Sequence, residues 1–180
     1  DGSLTLHVRA VPGGLVSTAL VQHTAPGDTL LLGPARGTMT LPDEPARHLL
    51  CVAGGTGLAP VKAIAEQAAA AGRPAITLLF GARTHAGLYD LPALKRLAAA
   101  YPPLELITAV SAEPGPDGRQ VDLPDLLRGR NEWNDREVYV CGPAAMVRRT
   151  QAVLAGLGVP PGRVHFDEPD PVIPPPDPEP

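Results

Sequence analysis

The spacing of hydrophobic positions changes near residue 48. Before it, apolar and polar residues alternate over residues 4–9 with the period of two that a half-buried strand shows. Short apolar runs separated by proline- and glycine-containing turns continue to residue 41. This pattern predicts two or three strands in residues 4–41, which are too few to close a sheet. Because open strand edges are a liability, we expect further strands before residue 1.

After residue 48, strand patterns alternate with helix patterns. Buried-strand runs are predicted at residues 49–53, 75–80, 104–110, 137–141 and 163–167. Between them we predict four helices, of which the first has Pro60 in its first turn and Gly72 at its end. The last helix places Met146, Val147 and Leu154 on one apolar face. Strands that alternate with helices predict an α/β fold with a five-stranded, parallel, doubly wound sheet.

Composition excludes several classes of function. A net charge of −4, no block of lysine or arginine and 3% aromatic residues argue against a nucleic-acid partner. Two cysteines cannot form a disulfide framework, and the five histidines lack the spacing of metal ligands, so we predict no metal site. The longest uncharged apolar stretch, residues 49–61, is interrupted by glycines, so we predict no membrane span and a cytoplasmic protein. The chain begins with Asp1, and we expect it to be cut from a longer protein.

Three unusual segments follow the predicted strands directly. They are Gly54-Gly55-Thr56-Gly57, Gly81-Ala82-Arg83 and Cys141-Gly142-Pro143. In an open parallel sheet, ligands bind at the carboxyl ends of the strands, where these segments meet. Glycines allow close approach of the backbone, a helix N-terminus favours an anion such as pyrophosphate, and an arginine can bind a ribose or phosphate oxygen. Together the segments predict a dinucleotide site.

Each segment also has a simpler interpretation when taken alone. A glycine-rich turn can reflect tight packing, Arg83 can be a solvated surface arginine, and Cys141 can be a small buried hydrophobe. The first segment is not a phosphate-binding P-loop, because no Lys-Ser/Thr follows it, and Pro60 replaces the third glycine of the standard dinucleotide fingerprint. No acidic residue stands at the end of the second strand to bind a ribose.

These segments resemble the ferredoxin–NADP reductase-like superfamily of flavoprotein reductases. Residues 54–60 look like its first nicotinamide-dinucleotide motif, residues 81–83 like its adenosine-ribose arginine, and residues 139–146 like its late signature, in which a cysteine stands near the reactive nicotinamide carbon. Residues 14–17 resemble the turn that holds the FAD pyrophosphate. The resemblance implies Cys141 and Thr56 as catalytic residues. It implies as cofactor-binding residues Gly14, Leu15, Val16, Ser17, Gly54, Gly55, Thr56, Gly57, Pro60, Arg83, Cys141, Gly142, Pro143 and Met146.

The resemblance also implies the domain organisation. Residues 1–44 would be the C-terminal strands of an antiparallel flavin-binding β-barrel, and residues 45–169 the NAD(P)-binding domain. Residues 170–180 are rich in proline and are predicted to be a disordered tail. The arginine-aromatic-serine segment that grips the flavin is expected before residue 1, and Pro169 stands where a flavin-packing aromatic is usual. We therefore expect weak FAD binding by this chain alone.

The implied activity is hydride transfer from NAD(P)H to FAD, followed by electron transfer to an acceptor. The resemblance is greatest to the reductase portion of actinobacterial flavohaemoglobin-type proteins, which implies a globin haem as acceptor and a role in nitric oxide detoxification. Two alternatives stay open: a reductase that serves an oxygenase or ferredoxin, and a non-catalytic dinucleotide-binding module. The residues do not decide between NADH and NADPH.

Overall fold

The structure, a computed structural model, describes residues 3–34, 37–42, 47–114, 120–130 and 132–167. Its five strands form one sheet in the order β3-β2-β1-β4-β5, and every neighbouring pair is parallel. The strands are β1 Leu49–Gly54, β2 Ile76–Ala82, β3 Leu104–Val110, β4 Glu137–Cys141 and β5 Val164–Phe166. The predicted parallel, doubly wound α/β sheet is therefore confirmed.

Helix α1 Leu15–Thr18 is a single turn that precedes the sheet and has no buried residue. The helices that cover the two faces of the sheet are α2 Leu58–Ala70, α3 Leu91–Ala100, α4 Leu123–Arg128 and α5 Ala144–Gly156. Alternate residues of β1 point to opposite faces, so Cys51 is buried with α2 and α3 while Val52 is buried with α4 and α5. All six residues of β1 are buried, as its apolar run predicts for a central strand.

The limits of α2 follow from its sequence. Pro60 is the third residue of the helix, where its missing N–H would have no partner within the helix. Gly72 has a φ of +66°, the left-handed conformation that commonly follows the end of a helix, and its N–H donates to the carbonyl of Ala69 at 3.0 Å. Both predicted ends of the helix are confirmed.

The prediction of strands in residues 4–41 is wrong for the part of this segment that the structure describes. Residues 3–34 and 37–42 contain no strand, and α1 with the π-helical turn Ala19–His23 is their regular structure. The hydrogen bonds between their backbone groups are local, such as Gly14 N–H to Val11 O at 2.8 Å. A strand needs a neighbour that pairs with its N–H and C=O groups, and no described residue supplies one here.

Apolar side chains of this N-terminal segment are correspondingly exposed. Leu4 is 76% exposed and Leu31 is 99% exposed. The alternating pattern is therefore one that a strand could use to cover a core, but within the described residues this segment joins no sheet. The predicted boundary between residues 44 and 45 and the proline-rich residues 170–180 lie outside the described residues.

Candidate functional site

A cleft of about 730 Å³ opens at the carboxyl ends of β1, β2 and β3, beside the first turns of α4 and α5. It contains residues from all three of the predicted strand-end segments. Six of the predicted site residues line it, namely Gly54, Gly55, Thr56, Arg83, Pro143 and Met146. The prediction that these segments meet at one edge of the sheet is confirmed.

The first and third segments are in direct contact. The registers of β1 and β4 pair Ala53 with Cys141, so both strands end at the same level. A side chain on Gly57 would collide with the carbonyl group of Cys141, and one on Gly54 would lie 2.5 Å from Met146 Sδ. These glycines therefore allow two turns to pack together, and the simpler interpretation of tight packing applies to them as well as binding.

Gly55 differs from its neighbours. Its φ is +55°, and a Cβ built on it meets no heavy atom within 4 Å. Glycine is needed here for backbone conformation rather than for space. Because Gly55 lines the cleft and is the first residue of the turn that leads into α2, its backbone is open to a ligand at that helix start.

In the second segment, Gly81 has a packing role and Arg83 carries an exposed positive charge. A Cβ on Gly81 would lie 2.5 Å from the Cγ of Leu123, so this glycine admits the first residue of α4 to the end of β2. Arg83 is exposed in the cleft, and no described residue forms an ion pair or a side-chain hydrogen bond with it. Its guanidinium group is thus available to an anionic or hydroxyl-bearing ligand.

Cys141 lies at the end of β4, behind the lining of the cleft. Its side chain is half-buried, and burial, followed by the negative charge of Asp167, raises the pKa of its thiol. The thiol is therefore neutral at physiological pH. Gly57 and Gly142 also stand behind the lining, and Pro60 lies one turn further along α2.

The predicted flavin turn lies away from the cleft lining. Gly14 precedes α1, and Ser17 Oγ accepts the N–H of Val11 at 3.1 Å, which closes the turn on itself. Leu15 and Val16 are 88% and 73% exposed. The same segment sends Val8 and Arg9 into the cleft. The FAD roles of residues 14–17 stay predictions.

Sequence reasoning missed four prominent residues of the cleft, which are Arg9, Tyr89, Asp122 and Arg149. Tyr89 Oη is 2.5 Å from Nδ1 of His7, and its ring stands edge-on to Phe80 at 6.0 Å between centroids. Asp122 carried a detectable signal, since Asp followed by Leu-Pro is typical of a helix start. No sequence signal identified Arg149, because its partner Asp122 is 27 positions away.

The described ranges contain neither a membrane-spanning helix nor a cluster of metal ligands. No helix there is both long and apolar enough to cross a membrane. No group of three or more metal-ligating side chains comes together in those same ranges.

Fold and cleft together define a dinucleotide-binding α/β domain, with glycine-rich strand ends around a cleft at the switch point of a parallel sheet. The chain belongs to the oxidoreductase NAD-binding domain family, whose sequence model matches residues 51–152. The match runs from within β1 to most of α5 and includes all three strand-end segments.

Similar proteins extend the comparison. A reductase component of the naphthalene 1,2-dioxygenase and salicylate 5-hydroxylase systems of Ralstonia is 36% identical over 170 residues, covering 93% of this chain and 52% of that protein. Reductase component 2 of terephthalate 1,2-dioxygenase from Comamonas is 36% identical over 171 residues, covering 93% and 50%. The chain thus spans about half the length of the curated relatives it matches.

Solved structures agree with the fold. The Amycolatopsis cytochrome P450 reductase superposes with a TM-score of 0.75 at 32% identity, covering 89% of this chain and 50% of that one. The FAD/NAD-binding domain of a Vibrio cholerae nitric oxide dioxygenase gives a TM-score of 0.77 at 23% identity, covering 86% and 64%. The second likeness shows the fold alone.

These comparisons refine the sequence-based predictions. The oxidoreductase class and the cofactors NAD(P)H and FAD are confirmed for the family to which the chain belongs. The flavohaemoglobin-type prediction fits less well than its alternative, because the relatives similar in sequence are reductase components of oxygenases. A globin haem as electron acceptor is not shown, because the flavohaemoglobin-type structures, at 20% and 23% identity, share only the fold.

Proposed function

We propose that the chain binds NAD(P)H for a flavin-dependent reductase that delivers electrons to an oxygenase or to a ferredoxin. The observation that carries this proposal is the meeting of three strand-end segments in one cleft. The type of acceptor is supported by 34–36% identity to reductase components of aromatic dioxygenases.

The residues of the cleft fit a dinucleotide. The turn Gly55–Gly57 leads into α2, and the backbone N–H groups of this turn would donate to the pyrophosphate at the positive end of the helix. The N–H of Leu58, the first residue of α2, already donates to the carbonyl of Gly55. Arg83 would bind an oxygen of the adenosine ribose or a phosphate. Thr56 and Cys141 would flank the nicotinamide, and Cys141 would act by its shape because its raised pKa keeps the thiol neutral.

FAD, when bound, accepts a hydride and returns single electrons, which is chemistry that the cofactor supplies. The protein's part is to hold the dinucleotide in position and to exclude water around it. No acid–base pair is required of the side chains for such a transfer. The amides at the start of α1, at Leu15 and Val16, are the donors of this chain that would meet the flavin pyrophosphate.

Arg83→Ala tests the dinucleotide site. We expect it to weaken binding of NADH about tenfold, because a charge-assisted hydrogen bond to the ligand is lost. The change in NADH fluorescence on titration with the chain measures this affinity. Arg148→Ala is the matched control, since Arg148 is an exposed arginine outside the cleft lining. Equal effects of the two substitutions would contradict the assignment of Arg83.

Electron delivery is tested in a reductase that contains this chain. NADH oxidation is followed with a ferredoxin as acceptor, and nitric oxide consumption in the presence of a globin is followed in parallel. The proposal expects turnover with the ferredoxin. NADH binding without any flavin-dependent turnover would favour the non-catalytic dinucleotide-binding module instead.

A further inference from the structure

The wall of the cleft holds an ion pair that the proposed function does not use. Arg149 of α5 donates from Nη1 to Oδ2 of Asp122 at 2.5 Å, and its Nη2 is 3.6 Å from Oδ2 of Asp125. Asp122 and Arg149 line the cleft, whereas Asp125 does not. The side chains of Asp122 and Arg149 are 40% and 53% exposed, so a ligand in the cleft can reach both.

Asp122 is positioned by β3 and by β2. The N–H of Val121 donates to the carbonyl of Val110 at 3.1 Å, which ties the residue before Asp122 to the end of β3. Leu123, the residue after it, occupies the space beside Gly81 at the end of β2. Asp122 therefore stands on the β2–β3 side of the cleft, the side that carries Arg83. The late signature on β4 is further along the sheet, beyond β1.

The hydrogen-bonding capacity of this carboxylate is only partly used. Its Oδ2 accepts from Arg149, whereas Oδ1 has no hydrogen-bond partner among the residues that the structure describes. An ionised carboxylate only accepts hydrogen bonds, and a ribose hydroxyl can donate one. A 2′-phosphate offers no such donor and adds about 1.5 to 2 negative charges, as phosphate esters do near pH 7.

A 2′-phosphate would be repelled by the Asp122 carboxylate, and Arg149 is not free to offset this repulsion. Its two terminal nitrogens already face carboxylate oxygens of Asp122 and Asp125. A 2′-phosphate bound to the remaining N–H groups of Arg149 would lie close to both carboxylates, and they would repel it at short range. In its present position Arg149 fixes the orientation of Asp122.

We propose that Asp122 accepts a hydrogen bond from the adenosine ribose of the dinucleotide, with Arg149 as its positioning residue, so that the cleft selects NADH over NADPH. The inference rests on the proposed function, because it requires a dinucleotide in this cleft. It also identifies an acidic partner for the ribose. The sequence lacks such a residue after β2, and the structure brings one in from the start of α4.

The test compares Asp122→Asn with the matched control Asp125→Asn, which changes the other carboxylate that faces Arg149. NADH and NADPH are each titrated into the full chain, and nicotinamide fluorescence gives both dissociation constants. We expect the wild type to bind NADH more tightly. Asp122→Asn should weaken NADH binding about tenfold and NADPH binding less, while Asp125→Asn should change both by less than about twofold.

A second pair of variants tests the positioning role. Arg149→Gln should reduce the preference for NADH, and Arg149→Lys should restore most of it, because a lysine can still form the ion pair with Asp122. A residue that supports only the fold of α5 would change the melting temperature without changing this preference. Circular dichroism melts of all four variants separate the two effects. Asp122→Asn should leave the start of α4 intact, because asparagine is also a favourable residue at this helix-start position.

Three outcomes would overturn the inference: equal losses for NADH and NADPH in Asp122→Asn, the same losses in Asp125→Asn, or a wild type that prefers NADPH. The last outcome would mean that an arginine of the cleft, Arg83 or Arg149, binds the 2′-phosphate. A wild type that binds neither nucleotide would instead contradict the proposed function itself. The two failures are therefore distinguishable.

Discussion

Gly57 shows how a single residue joins the motifs at the site. Its φ of −59° suits any amino acid, so backbone conformation does not require glycine. Its position against the carbonyl group of Cys141 does require it, because a Cβ has no room there. Glycine-rich turns are usually explained by contact with the ligand. Here this glycine serves the contact between the first turn and the end of β4.

Gly57→Ala is expected to destabilise the chain by about 1 to 3 kcal/mol, because a methyl group is forced into closely packed backbone. Urea unfolding followed by circular dichroism measures the loss. Gly156→Ala is the control, since Gly156 ends α5 and a Cβ there meets no atom within 4 Å. Alanine at that position should stabilise by up to about 1 kcal/mol. Equal stabilities of the two variants would mean that the turns can move apart.

At the scale of elements, the amino ends of the strands are joined by an arginine. Arg136, which precedes β4 and is 8% exposed, donates from Nη1 to Thr77 Oγ1 of β2 at 3.0 Å and to the carbonyl of Leu49 at 3.4 Å. Its guanidinium group also lies 4.9 Å from the ring centroid of Trp133, which is buried. This end of the sheet is thus held by a buried polar network, opposite the cleft.

Arg136→Ala should therefore cost about 2 to 4 kcal/mol, because buried acceptors lose their donor and Trp133 loses its cation. Arg130 supplies the matched control. It also approaches Trp133, at 5.9 Å, but it is more exposed and pairs with Glu105 at the surface. Arg130→Ala should cost about 1 kcal/mol or less. Chemical denaturation distinguishes the two, and similar costs would contradict a special role of burial.

The N-terminal segment shows where reasoning about elements fails. Its alternating pattern predicts strands, yet the described residues form α1 and a π-helical turn, and apolar side chains such as Leu4 and Leu31 are exposed. The central strands were predicted well because β1 and β4 are buried on both faces and their apolar runs are unambiguous. A strand with one apolar face depends on a partner whose presence its own sequence does not encode.

At the scale of the whole molecule, the two ends of the sheet have different tasks. The carboxyl ends form the cleft, and the amino ends carry the network around Arg136. NADH should therefore protect backbone amides of residues 54–57, 81–84 and 121–124 from hydrogen exchange and leave residues 132–137 unchanged. Peptide-level mass spectrometry measures this. Uniform protection would indicate global stabilisation by the ligand rather than a site at one end.

The sequence by itself determined the succession of strands and helices along the chain from residue 49 onwards, together with the three strand-end segments. Those features depend on periodicity and on residues a few positions apart, such as Pro60 and Gly72 at the ends of α2. Only the tertiary structure decided which side chains share the cleft. Asp122 and Arg149 meet across 27 positions, and Gly57 meets Cys141 through the pairing of β1 with β4. Such contacts depend on how the strands pair and how the helices cover the sheet, which local patterns do not specify.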